Sequence, residues 1–222
     1  MKKIILSLLA AGAAGISAHA QIGFAPEAGI NLATFRQQID DEDVDDNRMR
    51  AGLRIGAALD FPIVGGLSIQ PGLYYSMKGS YYKETDRVLG VSTKTEVKTR
   101  LNYLDIPINV VYKFSDYKDG FFISAGPYIG YALDGKMNTK TTVGNNYQER
   151  KEDIKFGDER GDLKRVDVGG NVGLGYMFPM GLFFRAQYSH GFTNLIEGSD
   201  NDDNSLRNSS LAFSLGIMIG GY

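Results

Sequence analysis

The chain has no cysteine among its 222 residues, so neither a disulfide nor a thiolate metal site can form. Histidine is almost missing as well, with only His19 and His190. Beyond the N-terminus no apolar run is long enough for a membrane helix, and no segment of comparable length repeats with a helical period. A hydropathy scan would therefore read the chain as soluble. That reading is weak, because barrel strands interleave polar residues and hide from such scans. No Gly-x-Gly-x-x-Gly follows a strand into a helix, which removes a phosphate loop. The formal charge of −2 carries no nucleic-acid footprint.

The N-terminus is the exception to the missing apolar runs. Lys2 and Lys3 precede residues 4–16, all small or apolar except Ser7, and Ala18-His19-Ala20 puts small residues where a signal peptidase reads. Residues 1–20 are thus expected to be a cleaved secretory signal, shorter than the ~20 apolar residues of a span. The mature part, residues 21–222, is expected to be one domain. Without disulfides it must be held by its core or by a closed hydrogen-bond network.

What is abundant is alternation. From Leu104 to Phe114 one face carries Leu104, Ile106, Ile108, Val110, Tyr112 and Phe114; the other carries Asp105, Asn109 and Lys113. The same period of two marks eight candidate strands, at 22–35, 49–61, 66–82, 103–114, 120–134, 164–178, 182–195 and 209–222. Pro107, lacking an N–H, is expected to mark a bulge or bend. The connectors alternate in length. Those at 36–48, 83–98, 135–163 and 196–208 are long and polar, and those at 62–66, 115–119 and 179–181 are short. A sandwich has no reason to sort its loops this way, whereas outer-membrane barrels have short periplasmic turns and long extracellular loops. Phe61, Phe114, Phe121, Phe178 and Phe184 flank the short turns, and Tyr75, Tyr103, Tyr131 and Tyr188 lie nearer the long loops. That is the sorting two lipid–water interfaces require.

With these features the chain resembles the PorT-type outer-membrane β-barrel family. The likeness rests on Ala28-Gly29-Ile30-Asn31-Leu32, Tyr103-Leu104-Asp105-Ile106-Pro107, Ala125-Gly126-Pro127-Tyr128, Asp167-Val168-Gly169-Gly170 and the run from Tyr188 to Leu195. It spans essentially the whole mature chain. It implies an eight-stranded barrel, commonly labelled a porin, and its name suggests an accessory role in protein secretion. Such barrels often end in an aromatic, here Tyr222, though Tyr222 falls on the parity of the inner face.

The expected inner face holds five acids, Glu27, Asp60, Asp105, Asp134 and Asp167, and five bases, Arg54, Lys78, Lys113, Arg165 and Arg185. An eight-stranded interior is only wide enough to be filled by side chains, so these charges must pair or stay hydrated. They read as a structural polar plug rather than an ion path. Catalysis has little support: Ser189 and His190 are adjacent, and neighbours on a strand point to opposite faces. The acidic runs 40–46 and 200–204 could attract Ca²⁺, but neither has the glycine and glutamate spacing of an EF-hand, so they read as solvated tips.

The expected fold is therefore all-β, an eight-stranded antiparallel up-and-down transmembrane β-barrel in the outer membrane of a Gram-negative cell, exported by the Sec pathway. The expected role is structural or surface-interacting, without enzymatic activity, cofactor or metal. Its partners would be outer-membrane lipid, lipopolysaccharide and an envelope or host surface protein, with no nucleic acid and a monomeric state. A narrow pore for ions or small solutes, or a part in protein secretion, are the alternatives.

Overall fold

The computed structural model describes residues 22–39, 42–44, 47–88, 91–115, 119–144, 146–157, 162–196 and 204–220. The expected leader 1–20, Tyr222 and most of the two acidic runs lie outside them. Ten strands are present: β1 (Gly23–Ile39), β2 (Glu42–Val44), β3 (Asn47–Val64), β4 (Leu67–Val88), β5 (Val91–Lys113), β6 (Gly120–Val143), β7 (Asn146–Asp153), β8 (Val166–Met177), β9 (Leu182–Gly191) and β10 (Asn204–Ile217). Eight of them form an antiparallel ring in the order β1-β3-β4-β5-β6-β8-β9-β10, which the pairing of β10 with β1 closes. The short strands β2 and β7 pair with β1 and β6 outside that ring.

Alternation explains the two faces. Outward residues such as Ile55, Ile108, Ile123, Val172 and Leu215 are about half exposed, while Asp60, Ser76, Asn109 and Asp167 on the inner parity are almost fully buried. A belt of bare aliphatic side chains around the outside is the reverse of a soluble core. At the short-turn end the belt is edged by touching rings, Tyr112 with Phe114 and Tyr176 with both Phe121 and Phe178. At the other end Tyr188, His190 and Phe192 form a second edge.

Two expectations change. The segments 36–48, 83–98 and 135–163 are in large part sheet, not loop. β4 and β5 pair from Leu67↔Tyr112 to Val88↔Val91, and β7 folds back on β6 from Val143↔Asn146 to Lys136↔Asp153. Their Thr- and Val-rich strands set residues of opposite charge at facing positions, Lys83↔Glu96 and Lys140↔Glu149. A membrane strand needs ~9–11 residues, so with 22 and 23 residues β4 and β5 run far beyond the apolar belt. Pro107 makes no bulge: the register resumes at Val110↔Ala125 without an inserted residue. One register shift lies instead between Asn102 and Tyr103, opposite Ala132 and Asp134, where Leu133 is the extra residue, and two more lie on β3 at Met49/Arg54 and Pro62/Val64.

If the belt faces lipid, a charge at its middle should be costly. Ile108→Arg is expected to lower unfolding stability in lipid vesicles by roughly 2–4 kcal/mol, and Thr141→Arg on the hairpin by under about 0.5 kcal/mol, as read by urea titration of tyrosine fluorescence. Equal effects at both positions would contradict a lipid-facing belt.

Candidate functional site

The interior is stacked in layers. At the short-turn end Ala25, Val111, Phe122, Met177, Phe183 and Met218 form a buried apolar plug. Gly175 makes room for it, since a Cβ there would meet the Phe122 ring at 2.2 Å. Beside it lies a first charged layer. Lys113 Nζ is 3.0 Å from Asp60 Oδ2, and Gln70 Nε2 donates to Asp60 Oδ1 at 2.9 Å. Arg185 Nη2 donates to Gln70 Oε1 at 2.9 Å, and its Nε lies 3.6 Å from Glu27 Oε2.

A second charged layer sits nearer the long hairpins. Lys78 Nζ bridges Asp105 Oδ1 at 2.9 Å and Asp167 Oδ2 at 3.3 Å. The same Asp167 oxygen accepts from the Tyr128 hydroxyl at 3.0 Å and from Asn208 Nδ2 at 2.9 Å. Arg54 Nη1 lies 3.9 Å from Asp105 Oδ2 and donates to Ser76 Oγ at 3.3 Å. Its guanidinium also lies 4.0 Å from the centre of the Tyr74 ring, and the Lys78 ammonium faces Tyr103 and Tyr128 at 4.5 and 4.7 Å. Ring faces are attractive to cations taken out of water. Beside this layer, the cavity lined by Arg54, Lys78, Asp105, Tyr128, Asn171 and Ser189 holds about 10 Å³, room for one water at most.

The inward charges thus form two groups, each with two acids and two bases. Asp134 and Arg165 are not among them. The bulge at Leu133 turns Asp134 outward, where it is exposed and accepts from Asn102 Nδ2 at 2.8 Å. Arg165 precedes β8 and is exposed at the rim, reaching the Phe156 carbonyl at 3.5 Å. They leave as one acid and one base, so the interior stays neutral. Tyr103 also departs from expectation. It shares the parity of Asp105 and is fully buried inside rather than part of the outer aromatic edge. Ser189 points inward and donates to Asn171 Oδ1 at 2.7 Å, whereas His190 lies on the outer face between Tyr188 and Phe192.

A second apolar seal closes the long-hairpin end. Phe35, Leu101, Tyr103, Ala132 and Leu195 are buried there, and Ile154, Phe156, Leu163 and Leu206 pack over them. The chain after β7 crosses the mouth to make this seal, tied by Ile154 N–H to the Gly135 carbonyl at 2.9 Å and Lys164 N–H to the Leu195 carbonyl at 2.9 Å. Beyond it stand the hairpins. On one, Lys94 Nζ and the Tyr81 hydroxyl both reach Glu96 Oε1 at 2.8 Å. The Lys94 ammonium, then the Tyr81 hydroxyl, push the Glu96 carboxyl down to about 2.

A profile of the family described as "Outer membrane protein beta-barrel domain" matches residues 17–197. No curated protein matches the chain. Among solved structures, Ail, the attachment invasion locus protein of Yersinia pestis, is 13% identical with a TM-score of 0.39, over 89% of this chain and 99% of that one. Neisserial surface protein A is 10% identical with a TM-score of 0.36, over 88% and 96%. The outer membrane protease OmpT from Escherichia coli is 7% identical with a TM-score of 0.40, over 90% and 96%. None of these scores supports a transfer of function.

Two outcomes follow from the charge geometry. Asp167→Ala is expected to cost roughly 3–5 kcal/mol because it strips a buried lysine of one partner, and Lys78→Met with Asp167→Ala should cost clearly less than the two single changes added. Additive costs in a urea-unfolding cycle would contradict coupling. On the hairpin, a depressed carboxyl stabilises above the ordinary value of 4.5, and that stabilisation is lost as pH falls towards 2. Carbon-detected NMR should show the Glu96 carboxyl unprotonated at pH 3.5; a midpoint near 4.5 would mean the Lys94 contact is not held in solution.

Proposed function

The chain belongs to the outer membrane protein beta-barrel domain family, and on that footing we propose that it is a closed, non-conducting barrel acting at the cell surface through its long hairpins. The observation that carries this reading is the filled interior: two balanced charged layers packed with two apolar clusters, with about 10 Å³ left beside the upper charges. Short turns face the periplasm in such barrels and long hairpins face outward. The eight inward charges, Glu27, Arg54, Asp60, Lys78, Asp105, Lys113, Asp167 and Arg185, act as a structural plug and carry no catalytic step. The β4–β5 and β6–β7 hairpins supply the contact surface for an envelope or host surface protein. The aliphatic belt and aromatic edges contact lipid and lipopolysaccharide. Closure of the ring leaves none of its eight strands with an open edge, which favours a monomer. The motifs around Tyr103 to Pro107 and Tyr188 to Leu195 support a PorT-type reading of the barrel, and a leader over 1–20 would route it through the Sec pathway.

Purified protein in a planar bilayer at about 100 mV should stay electrically silent, and steady conductance steps would overturn the plug. Replacing residues 139–150 by a Gly-Gly turn should leave heat-modifiable gel migration intact and lower adhesion of expressing cells to host-cell monolayers several-fold. Unchanged adhesion would remove the surface role of this hairpin.

A further inference from the structure

Two arginines face each other along the seam where β10 closes the ring against β1: Arg36 stands opposite Arg207. The pair next to them, Phe35 and Asn208, points inward. Phe35 lies in the outer apolar seal, and Asn208 donates to Asp167. Successive residues of a strand take opposite faces, so Arg36 and Arg207 turn outward, away from the interior. Side chains at facing positions start ~4.5–5.5 Å apart, and like charges placed there repel.

No described residue on the surrounding wall offsets that repulsion. Among the described residues the outward faces of β8, β9, β10 and β1, four consecutive strands of the ring, carry no acid, and these two arginines are their formal charges. No carboxylate of a described residue lies within 4.0 Å of either guanidinium. Arg207 Nε is already out of water with no hydrogen-bond partner among the described residues, and so is the nearby His190 Nδ1. A cation stripped of part of its water gains more from a counter-charge than a fully solvated one. Arg36, by contrast, is exposed and open to a ligand.

The height of the pair on the wall selects the kind of anion. Two residues below it Thr34 faces Ser209, and two further down Leu32 faces Leu211 in the apolar belt. Each such step is ~7 Å along a strand. His190, part of the outer aromatic edge, pairs with Ser209, and both guanidiniums lie within electrostatic reach of its ring. The arginines thus point sideways at the layer where hydrocarbon gives way to headgroups, on the side of the long hairpins. We propose that Arg36 and Arg207 form a clasp for a phosphate of an outer-leaflet lipid, which bridges the two guanidiniums while the acyl chains lie along Leu32 and Leu211. A planar guanidinium meets two phosphate oxygens at once, so one phosphate suits the pair. Held in this way, the lipid ties the first strand of the ring to the last. The inference rests on the outer-membrane surface reading and deepens it, but does not need the hairpins to bind a partner.

The test uses the full mature chain folded in detergent micelles, with native mass spectrometry counting the lipid retained. The probe is diphosphoryl lipid A, and the comparison is the same acylated disaccharide without its phosphates. The wild type is expected to bind the probe about tenfold more tightly than does the Arg36→Gln, Arg207→Gln double variant, and about tenfold more tightly than it binds the phosphate-free lipid. Arg150→Gln with Lys151→Gln removes two cations from the β7 hairpin and should change nothing. Equal retention by the Arg36, Arg207 variant, equal retention of the phosphate-free lipid, or equal loss in the hairpin control would each overturn the clasp. Inositol hexaphosphate, a soluble polyphosphate, should displace the probe poorly; full displacement at equal concentration would overturn the lipid assignment. Both arginines lie outside the interior, so folding should survive, and heat-modifiable migration checks it. Should the variant misfold, Arg36→Lys with Arg207→Lys, which keeps the charge and loses the fork, decides instead: weaker retention supports the clasp and unchanged retention overturns it. Loss of the clasp with normal migration and a silent bilayer would leave the closed barrel standing.

Discussion

Charges confined where bulk water does not reach must neutralise one another, and the rest of the molecule is arranged around that need. Glu27, Asp60, Lys113 and Arg185 form one neutral group, and Arg54, Lys78, Asp105 and Asp167 form another. Each group draws its members from three or more strands, so the pairs cross-link staves that backbone ladders alone would leave free to slide. Lys78 and Asp167, 89 residues apart, tie β4 to β8 across the interior. A one-residue slip of any stave would turn its charge into lipid.

The two apolar seals complete the arrangement. Leu101 and Leu195 above, and Phe122 and Phe183 near the short turns, pack against the charged layers and limit solvent around most of their pairs, which strengthens them. The upper seal depends on the chain that follows β7, whose Ile154, Phe156 and Leu163 fold inward across the mouth. That stretch closes the interior from the outer side. The hairpins can extend into water because their strands pair with one another and carry many charged side chains that solvate the remaining edges.

Much of this was legible in the chain itself. Period-two alternation placed all eight staves and put Glu27, Asp60, Asp105, Asp167, Arg54, Lys78, Lys113 and Arg185 on the inner face, where each is found. The exceptions have separate causes. Asp134 is turned outward by the extra residue Leu133, and nothing in the local pattern of β6 signals that insertion, since it exists only relative to Asn102 and Tyr103 on the neighbouring strand. Tyr103 was read with the aromatics of the outer edge, although its parity with Asp105 already placed it inside. Arg165 keeps the inner parity but lies above the last pair of β8 and rests on the rim.

The loops teach the same distinction. Residues 83–88, 91–98, 135–143 and 146–153 look polar and unstructured one residue at a time, and they become sheet because each continues, across a hairpin, a register that is set in the barrel wall. The sequence alone determined the barrel, its two faces and its charge neutrality, since these follow from side-chain period and composition. Which acid holds which base, where the ring bulges and how the mouth is closed were decided only by the tertiary structure, because each depends on residues far apart in the chain meeting across the ring.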